Sequence, residues 1–260
     1  LDLQLKNKNV LVTGGHRGTG LIIAKHFAQE GAHVFYHGFT EDEANNAITT
    51  AGNGTPIWGD IRTDAGADQV ASQFADHADH LDVLINNYGE ARQGQWGKLT
   101  SAHWLELYEI NTLSIVRMID RFLPGMPNGG RIINLGTIGS TRPNRVMPHY
   151  YAAKAALANL TVSLAKETGP RGITVNLVSP GLIRTPEVEA SYLKRAVKEG
   201  WGDDFESAEA KITEAYFPNP MGRIATRDEV ASVVLFLAGA QASFVNGQNI
   251  RVDGGAVDYV

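Results

Sequence analysis

Residues 9–20, NVLVTGGHRGTG, decide the fold. Residues 9–13 are a short apolar run of strand type, residues 14–20 are a turn crowded with glycine, and a helical pattern follows over about 20–30. Glycines at 14, 18 and 20 let main chain approach a pyrophosphate and let the next helix pack tightly on the strand. The N-terminus of that helix adds free N–H groups and a partial positive charge. The spacing is not the common G-x-G-x-x-G, so the strand before it and the helix after it carry the reading.

Outward from this turn, strand and helix patterns alternate. Residues 33–37, 55–59, 81–86, 131–135, 173–178 and 249–252 read as further strands. Helical patterns run over 66–78, about 101–123, from Tyr150 onward, and over 227–240. Near-continuous apolar strands separated by helices predict an α/β fold: a single-domain, doubly wound parallel sheet with helices on both faces. Right-handed crossovers put its ligand crevice at the carboxyl ends of the strands. The 260 residues, 43% apolar with no linker-like shift in composition, suit one such domain.

Net charge is −5 and no basic run appears, which argues against a nucleic-acid surface. Cysteine is absent, so disulfide and thiolate chemistry are excluded. Residues 1–9 hold no hydrophobic signal region, and the longest apolar run, within 230–240, is too short to span a bilayer. A soluble cytoplasmic protein is expected, with a few residues trimmed ahead of Leu1.

Residues 137–154, TIGSTRPNRVMPHYYAAK, hold the chemistry. Tyr150 and Lys154 are four apart on a helix and share one face. A free phenol has a pKa of roughly 10. An ammonium about 5 Å away, at an effective dielectric of ~20, favours the phenolate by ~3 kcal/mol, or ~2 pKa units. Such a phenol exchanges protons with a substrate oxygen near neutral pH. Tyr151 is only three residues from Lys154, and its ring points about 100° further round the helix.

The chain resembles the short-chain dehydrogenase/reductase family over nearly its whole length. The marks stand in order: TGGHRGTG, Asp60 in WGDI, NNYG at 86–89, Asn111, YYAAK, PGLIRT at 180–185 and GQNIRVDGG near the C-terminus. The resemblance implies a Rossmann-type domain that binds NAD(H) or NADP(H). It implies hydride transfer between nicotinamide and a small or medium carbonyl or secondary alcohol, by a homotetramer. Tyr150 would be the acid/base, and Lys154 would bind the nicotinamide ribose and lower the phenol's pKa. Asn111 would hold a water of the proton relay, Asp60 would contact adenine, and Thr185 the carboxamide. The motifs also assign Gly14, Arg17, Gly18, Gly20, Gly38, Ile61, Asn87, Gly89, Pro180, Gly181 and Ile183 to the cofactor. The enoyl-reductase branch is disfavoured, because its Tyr and Lys are spaced more widely.

This chain departs from the pattern in three places. Tyr88 stands where Ala is common, either shaping the substrate pocket or packing outward. Thr19 replaces an Ile or Leu. Thr137 holds the position of the usual catalytic Ser, keeping the hydroxyl and adding a methyl that stiffens χ1; Ser140 competes for that role. NADP(H) is favoured over NAD(H), because Gly38, Phe39 and Thr40 put no acid at the end of the second strand and Arg17 could pair with a 2′-phosphate. Residues 184–220 break the strand–helix rhythm and are expected to form a substrate lid that includes Tyr192. Asp76, His77, Asp79 and His80 read as a solvated helix end rather than a metal site. Trp96, Trp104 and Trp201 read as core or lid residues. The alternative function is a binding or regulatory protein that keeps this fold with impaired catalysis.

Overall fold

Seven short strands carry the apolar runs: β1 (Asn9–Val12), β2 (His33–Gly38), β3 (Thr55–Trp58), β4 (Val83–Asn86), β5 (Arg131–Leu135), β6 (Thr174–Pro180) and β7 (Asn249–Val252). In the computed structural model, which describes residues 2–258 and so leaves Leu1 outside, they form one parallel sheet. The strand order is β3-β2-β1-β4-β5-β6-β7. The order reverses between β1 and β4, where Val12 stands beside Ile85. A crevice therefore opens past the ends of these two strands, next to the glycine turn and the 86–89 motif.

Nine α-helices accompany the strands among the described residues: α1 (Gly18–Gln29), α2 (Glu41–Ala51), α3 (Asp64–Ala75), α4 (Ser101–Tyr108), α5 (Ser114–Phe122), α6 (Pro148–Thr168), α7 (Pro186–Glu199), α8 (Phe205–Tyr216) and α9 (Arg227–Ala238). Successive strand residues point to opposite faces. Leu11, Leu84, Ile132, Val175 and Leu177 join one core with α3, α5 and α6. Val10, Val12, Ile85, Ile133 and Val178 join the other with α1, α2 and α9. Each buried aliphatic side chain contributes about 2 kcal/mol, so truncating Leu11 to Ala would cost about 2–5 kcal/mol.

A buried polar ladder fixes α6 against the sheet. Asn86 donates to Asn134 Oδ1 at 2.9 Å, and Asn134 donates to Thr161 Oγ1 on α6 at 2.9 Å. Pro148 sits in the first turn of α6, where its missing N–H costs nothing. Tyr150 and Lys154 thus lie on a helix whose start and depth are both set.

The structure corrects several expectations. The helix expected over 101–123 is α4 and α5 joined by a π-helical turn, Glu109–Leu113, which holds Asn111. Residues 41–51 form α2, a helix that the apolar periodicity does not mark. Helix α3 runs to Ala75 with Asp76 as its C-cap, so the acidic and histidine run at 76–80 begins at the helix end. Trp96 is no core residue: it is 70% exposed and its ring lies 5.2 Å from that of Trp104. Trp201 is half-buried against a small cluster of Ala196, Phe205 and Ile212. Residues 184–220 contain α7 and α8, two helices outside the sheet.

Candidate active site

At the end of β1 the chain turns through Gly14 to Gly18, whose φ of +57° favours glycine, and enters α1. Arg17 occupies the N-cap position of α1 without a side-chain cap, and no acidic residue stands in the first turn. The N–H groups there remain open to an anion. Gly20 sits against the Gly14 carbonyl and the Asn87 amide. Asn87 holds the turn by donating to the Thr13 carbonyl at 3.0 Å, and its main-chain N–H donates to Thr13 Oγ1 at 3.0 Å. These features fit a dinucleotide pyrophosphate. The cleft above them has a volume of about 370 Å³ and runs from Arg17 and Phe39 to Tyr150 and Lys154, over Pro180 and Ile183.

Lys154 is 3% exposed, and its ammonium donates to the Leu135 carbonyl at 2.8 Å. Burial pushes its pKa down to about 8. A Cβ on Gly89 would lie 2.7 Å from Asn111 Oδ1 and 3.0 Å from Lys154 Nζ, so only glycine lets the three meet. Asn111 accepts from the Glu90 N–H at 3.1 Å and donates to the Glu90 and Leu107 carbonyls, each at 3.0 Å.

Tyr150 lies one turn before Lys154. Burial raises its pKa above the ordinary phenol range; Tyr151 adds to the rise, and a hydrogen bond to the Thr137 side chain opposes it. The sequence expectation of a lowered phenol pKa is therefore corrected: desolvation dominates at Tyr150, while the Lys154 ammonium one turn on donates to the Leu135 carbonyl. Tyr150 alone among the described residues lines both the cofactor cleft and a second cavity of about 400 Å³. That second cavity includes Thr137, Asn144, Tyr151, Tyr192 and Tyr216. Ser140 is not on its wall; its hydroxyl donates to the Thr137 carbonyl at 2.8 Å. The Tyr151 ring covers Gly139, and its hydroxyl accepts from Asn144 at 3.0 Å.

Other expected residues stand further off. Ile61 is buried in the core beneath the sheet. The Asp60 carboxylate is gripped by Arg62, with Nε at 2.8 Å and Nη2 at 2.9 Å, and it is not among the residues that line the cleft. Gly38 is buried under the start of α2, Gly181 underlies Phe217 beside the second cavity, and Thr185 caps α7 by accepting from the Val188 N–H at 3.3 Å. Tyr88, by contrast, lines the cofactor cleft: its ring is 4.7 Å from that of Phe39 and its hydroxyl donates to Glu90 at 2.9 Å.

Two residues escaped the sequence reading. His37, wholly buried, accepts the Gly14 N–H on Nδ1 at 3.0 Å and directs Nε2 at the Gly59 carbonyl, 2.9 Å away. Burial lowers its pKa to about 4, so the ring is neutral with its proton on Nε2. Glu43 brings a carboxylate back to the end of β2, which corrects the expectation that no acid stands there. The T-x-x-E spacing at 40–43 was a legible sign of this cap; nothing in the sequence marked His37.

A profile of the family described as enoyl-(acyl carrier protein) reductase matches residues 14–257. Galactitol 2-dehydrogenase of Rhizobium johnstonii is 34% identical, over 97% of this chain and 96% of that one. A 3-oxoacyl-(acyl-carrier-protein) reductase of Vibrio cholerae is 32% identical, over 97% and 98%. The crystal structure of L-sorbose reductase from Gluconobacter frateurii, complexed with NADPH and L-sorbose, superposes with a TM-score of 0.92 at 27% identity, covering all of both chains. With a glycine turn that suits a pyrophosphate and a Tyr–Lys pair at the far end of one cleft, this chain belongs to the short-chain dehydrogenase/reductase family and is an NAD(P)-dependent oxidoreductase.

Proposed function

We propose that this chain uses NADP(H) to reduce a small polyhydroxylated ketone, with Tyr150 as the proton donor. The observation that carries the reading is the Tyr150 ring, a wall common to the cofactor cleft and the second cavity. The hydroxyls of Thr137, Tyr151, Tyr192 and Tyr216 and the Asn144 amide around that cavity suit a neutral substrate bearing several hydroxyl groups. L-Sorbose, named for one relative, is such a ketose, and galactitol, named for another, is a polyol at the alcohol level of the same chemistry.

When bound, the nicotinamide supplies the hydride for the carbonyl carbon. Tyr150 gives its proton to the carbonyl oxygen, and a phenol kept protonated by burial suits the reductive direction. Thr137 donates to the same oxygen as negative charge develops there. Lys154 supplies positive charge beside the phenol and holds the ribose. Asn111, through the residue-90 main chain it clamps, orders the water of the proton relay. Gly14, Arg17, Gly18, Gly20, Asn87, Gly89, Pro180 and Ile183 hold the remainder of the cofactor. Gly38 and Arg17 favour NADP(H) over NAD(H). Helices α7 and α8 bring Tyr192 and Tyr216 over the second cavity as its lid within a single domain.

A non-catalytic role is not favoured, because Tyr150, Lys154, Thr137 and Asn111 are all retained. Following NADPH and NADH oxidation with ketoses, simple ketones, diketones and 3-oxoacyl thioesters tests the reading. Ketoses should turn over best, with NADPH; turnover confined to 3-oxoacyl thioesters would overturn the substrate class. No described helix is long and apolar enough to cross a membrane, and we assign the chain to the cytoplasm, which cell fractionation checks. The groove between α4–α5 and α6, edged by Tyr108, Val116 and Leu160, supports a homotetramer; a monomeric mass in light scattering would contradict it.

A further inference from the structure

The first turn of α2 carries three carboxylates, Glu41, Asp42 and Glu43, and Glu43 turns back toward the end of β2. Its Oε2 accepts from the Phe39 N–H at 2.8 Å and from the Thr40 N–H at 3.3 Å, and its Oε1 lies 3.9 Å from His16 Nε2. A capping box requires only the bond to the N-cap residue, Thr40. The shorter bond reaches one residue further back, to Phe39, which lines the cofactor cleft with His16 and Arg17. Among the described residues no lysine or arginine pairs with this carboxylate, and its side chain is 41% exposed. The His16 ring beside it is pushed toward neutrality by burial, against the pull of Glu43 itself, so it brings no full counter-charge to that carboxylate.

In a doubly wound fold the residues after the second strand read the adenosine ribose of a bound dinucleotide. We propose that Glu43 sets the coenzyme margin of this chain: its carboxylate occupies main-chain donors that a ribose 2′-phosphate would use, and it can accept from a ribose 2′-hydroxyl. The inference rests on the dinucleotide reading of the cleft. It means that the NADP(H) preference carried by Gly38 and Arg17 is held to a small margin by an acid five residues beyond the strand end. Counting along β2 misses it, because helix capping, rather than strand position, delivers the carboxylate.

The test is calorimetric binding of NADPH, NADH, 2′,5′-ADP and 5′-AMP to the wild-type chain, Glu43→Gln and Asp42→Asn, with thermal midpoints recorded alongside. Gln keeps an acceptor oxygen for both N–H groups and removes only the charge. Glu43→Gln should tighten NADPH and 2′,5′-ADP by about tenfold or more, leave NADH and 5′-AMP unchanged or weaker, and hold the midpoint. Glu43→Ala, which also gives up the cap, should shift the ratio in the same direction. Asp42→Asn should not move it. An unchanged NADPH-to-NADH ratio in Glu43→Gln, or an equal shift in Asp42→Asn, would overturn the role of Glu43. Wild-type chain that binds none of the four ligands would instead remove the dinucleotide reading beneath it.

Discussion

At the Lys154 end of the cleft, polar side chains are held by main chain: Lys154 by the Leu135 carbonyl, Asn111 by the Glu90 and Leu107 backbone. At the Phe39 end, side-chain pairs stand beside main-chain anchors: Asp60 grips Arg62 and Tyr88 donates to Glu90, while Glu43 accepts from the Phe39 and Thr40 N–H groups. Main-chain anchors fix a group relative to the sheet, so its place changes only if a strand or helix moves. Side-chain pairs can be exchanged with little effect on the backbone; the Asp60–Arg62 pair, each side chain 40% exposed, contributes only about 0–1 kcal/mol. The first kind of construction suits reacting atoms, which tolerate little displacement. The second suits a recognition end that can be retuned. The motifs shared with the family are clearest at the first end, and the unexpected residues gather at the second.

Tyr150 is the most sensitive residue of the anchored end. Tyr150→Phe deletes one hydroxyl from the anchored end and should lower kcat by roughly a thousandfold, within the range for a general acid. Cofactor dissociation constants should stay near wild type, because the remainder of the cleft is untouched. Tyr151→Phe should stay active, since its hydroxyl meets Asn144 at the cavity rim. Steady-state kinetics that find Tyr151→Phe dead and Tyr150→Phe active would move the chemistry to the wrong neighbour for this account.

Thr137 is the next point. Losing a donor aimed at developing negative charge costs about 3 kcal/mol, or ~100-fold in kcat. Thr137→Val should lose about that much. Because Thr137 Oγ1 also accepts from the Gly139 N–H at 3.2 Å, Thr137→Ser provides the control: it keeps both bonds and should recover most of the rate. Ser140→Ala removes a bond to the Thr137 carbonyl and should have a small effect. A near-normal Thr137→Val beside a crippled Ser140→Ala would transfer the donor role to Ser140.

The same division governs what the sequence reveals. The sheet is legible because its strands are short apolar runs buried on both sides, and the anchored end is legible because its residues sit at strand ends and one helical turn apart. Helix α2 is harder to read: EDEANNAITTA offers only Ala44 and Ala47 as fully buried residues, too little apolar surface to reveal a period. The π turn at Glu109–Leu113 is invisible because residues 101–123 read as one continuous helix. Asp60 and Ile61 keep the family's spacing, yet an arginine two residues on takes the carboxylate and the core takes the isoleucine. Pairings of this kind depend on which side chains happen to be neighbours, which spacing does not encode.

At the Phe39 end His37 is built in the manner of the other end: both ring nitrogens meet main chain, at Gly14 and Gly59. Protonation would force Nδ1 to give up the Gly14 N–H. Burial is the main reason its pKa falls to about 4; nearby His16 lowers it further, while the Gly59 carbonyl, Glu43 and Asp60 oppose. An unfolded histidine titrates near 6.5. Between about pH 6.5 and 4 the unfolded chain therefore binds a proton that folded His37 refuses. Stability rises with pH across that window and is lost as pH falls through it, with a slope of up to about 1.4 kcal/mol per pH unit from this residue, or tenfold in the folding constant. His37→Asn keeps an acceptor near Gly14 but cannot titrate. Its stability should be lower at pH 7 and should fall less steeply than wild type between pH 6.5 and 4.5, with the carboxylate contribution common to both. Urea denaturation at four pH values measures the two slopes. Parallel lines would mean that His37 titrates alike in the folded and unfolded chain, and the main-chain clamp on the glycine turn would then be no tighter than the side-chain pairs around it.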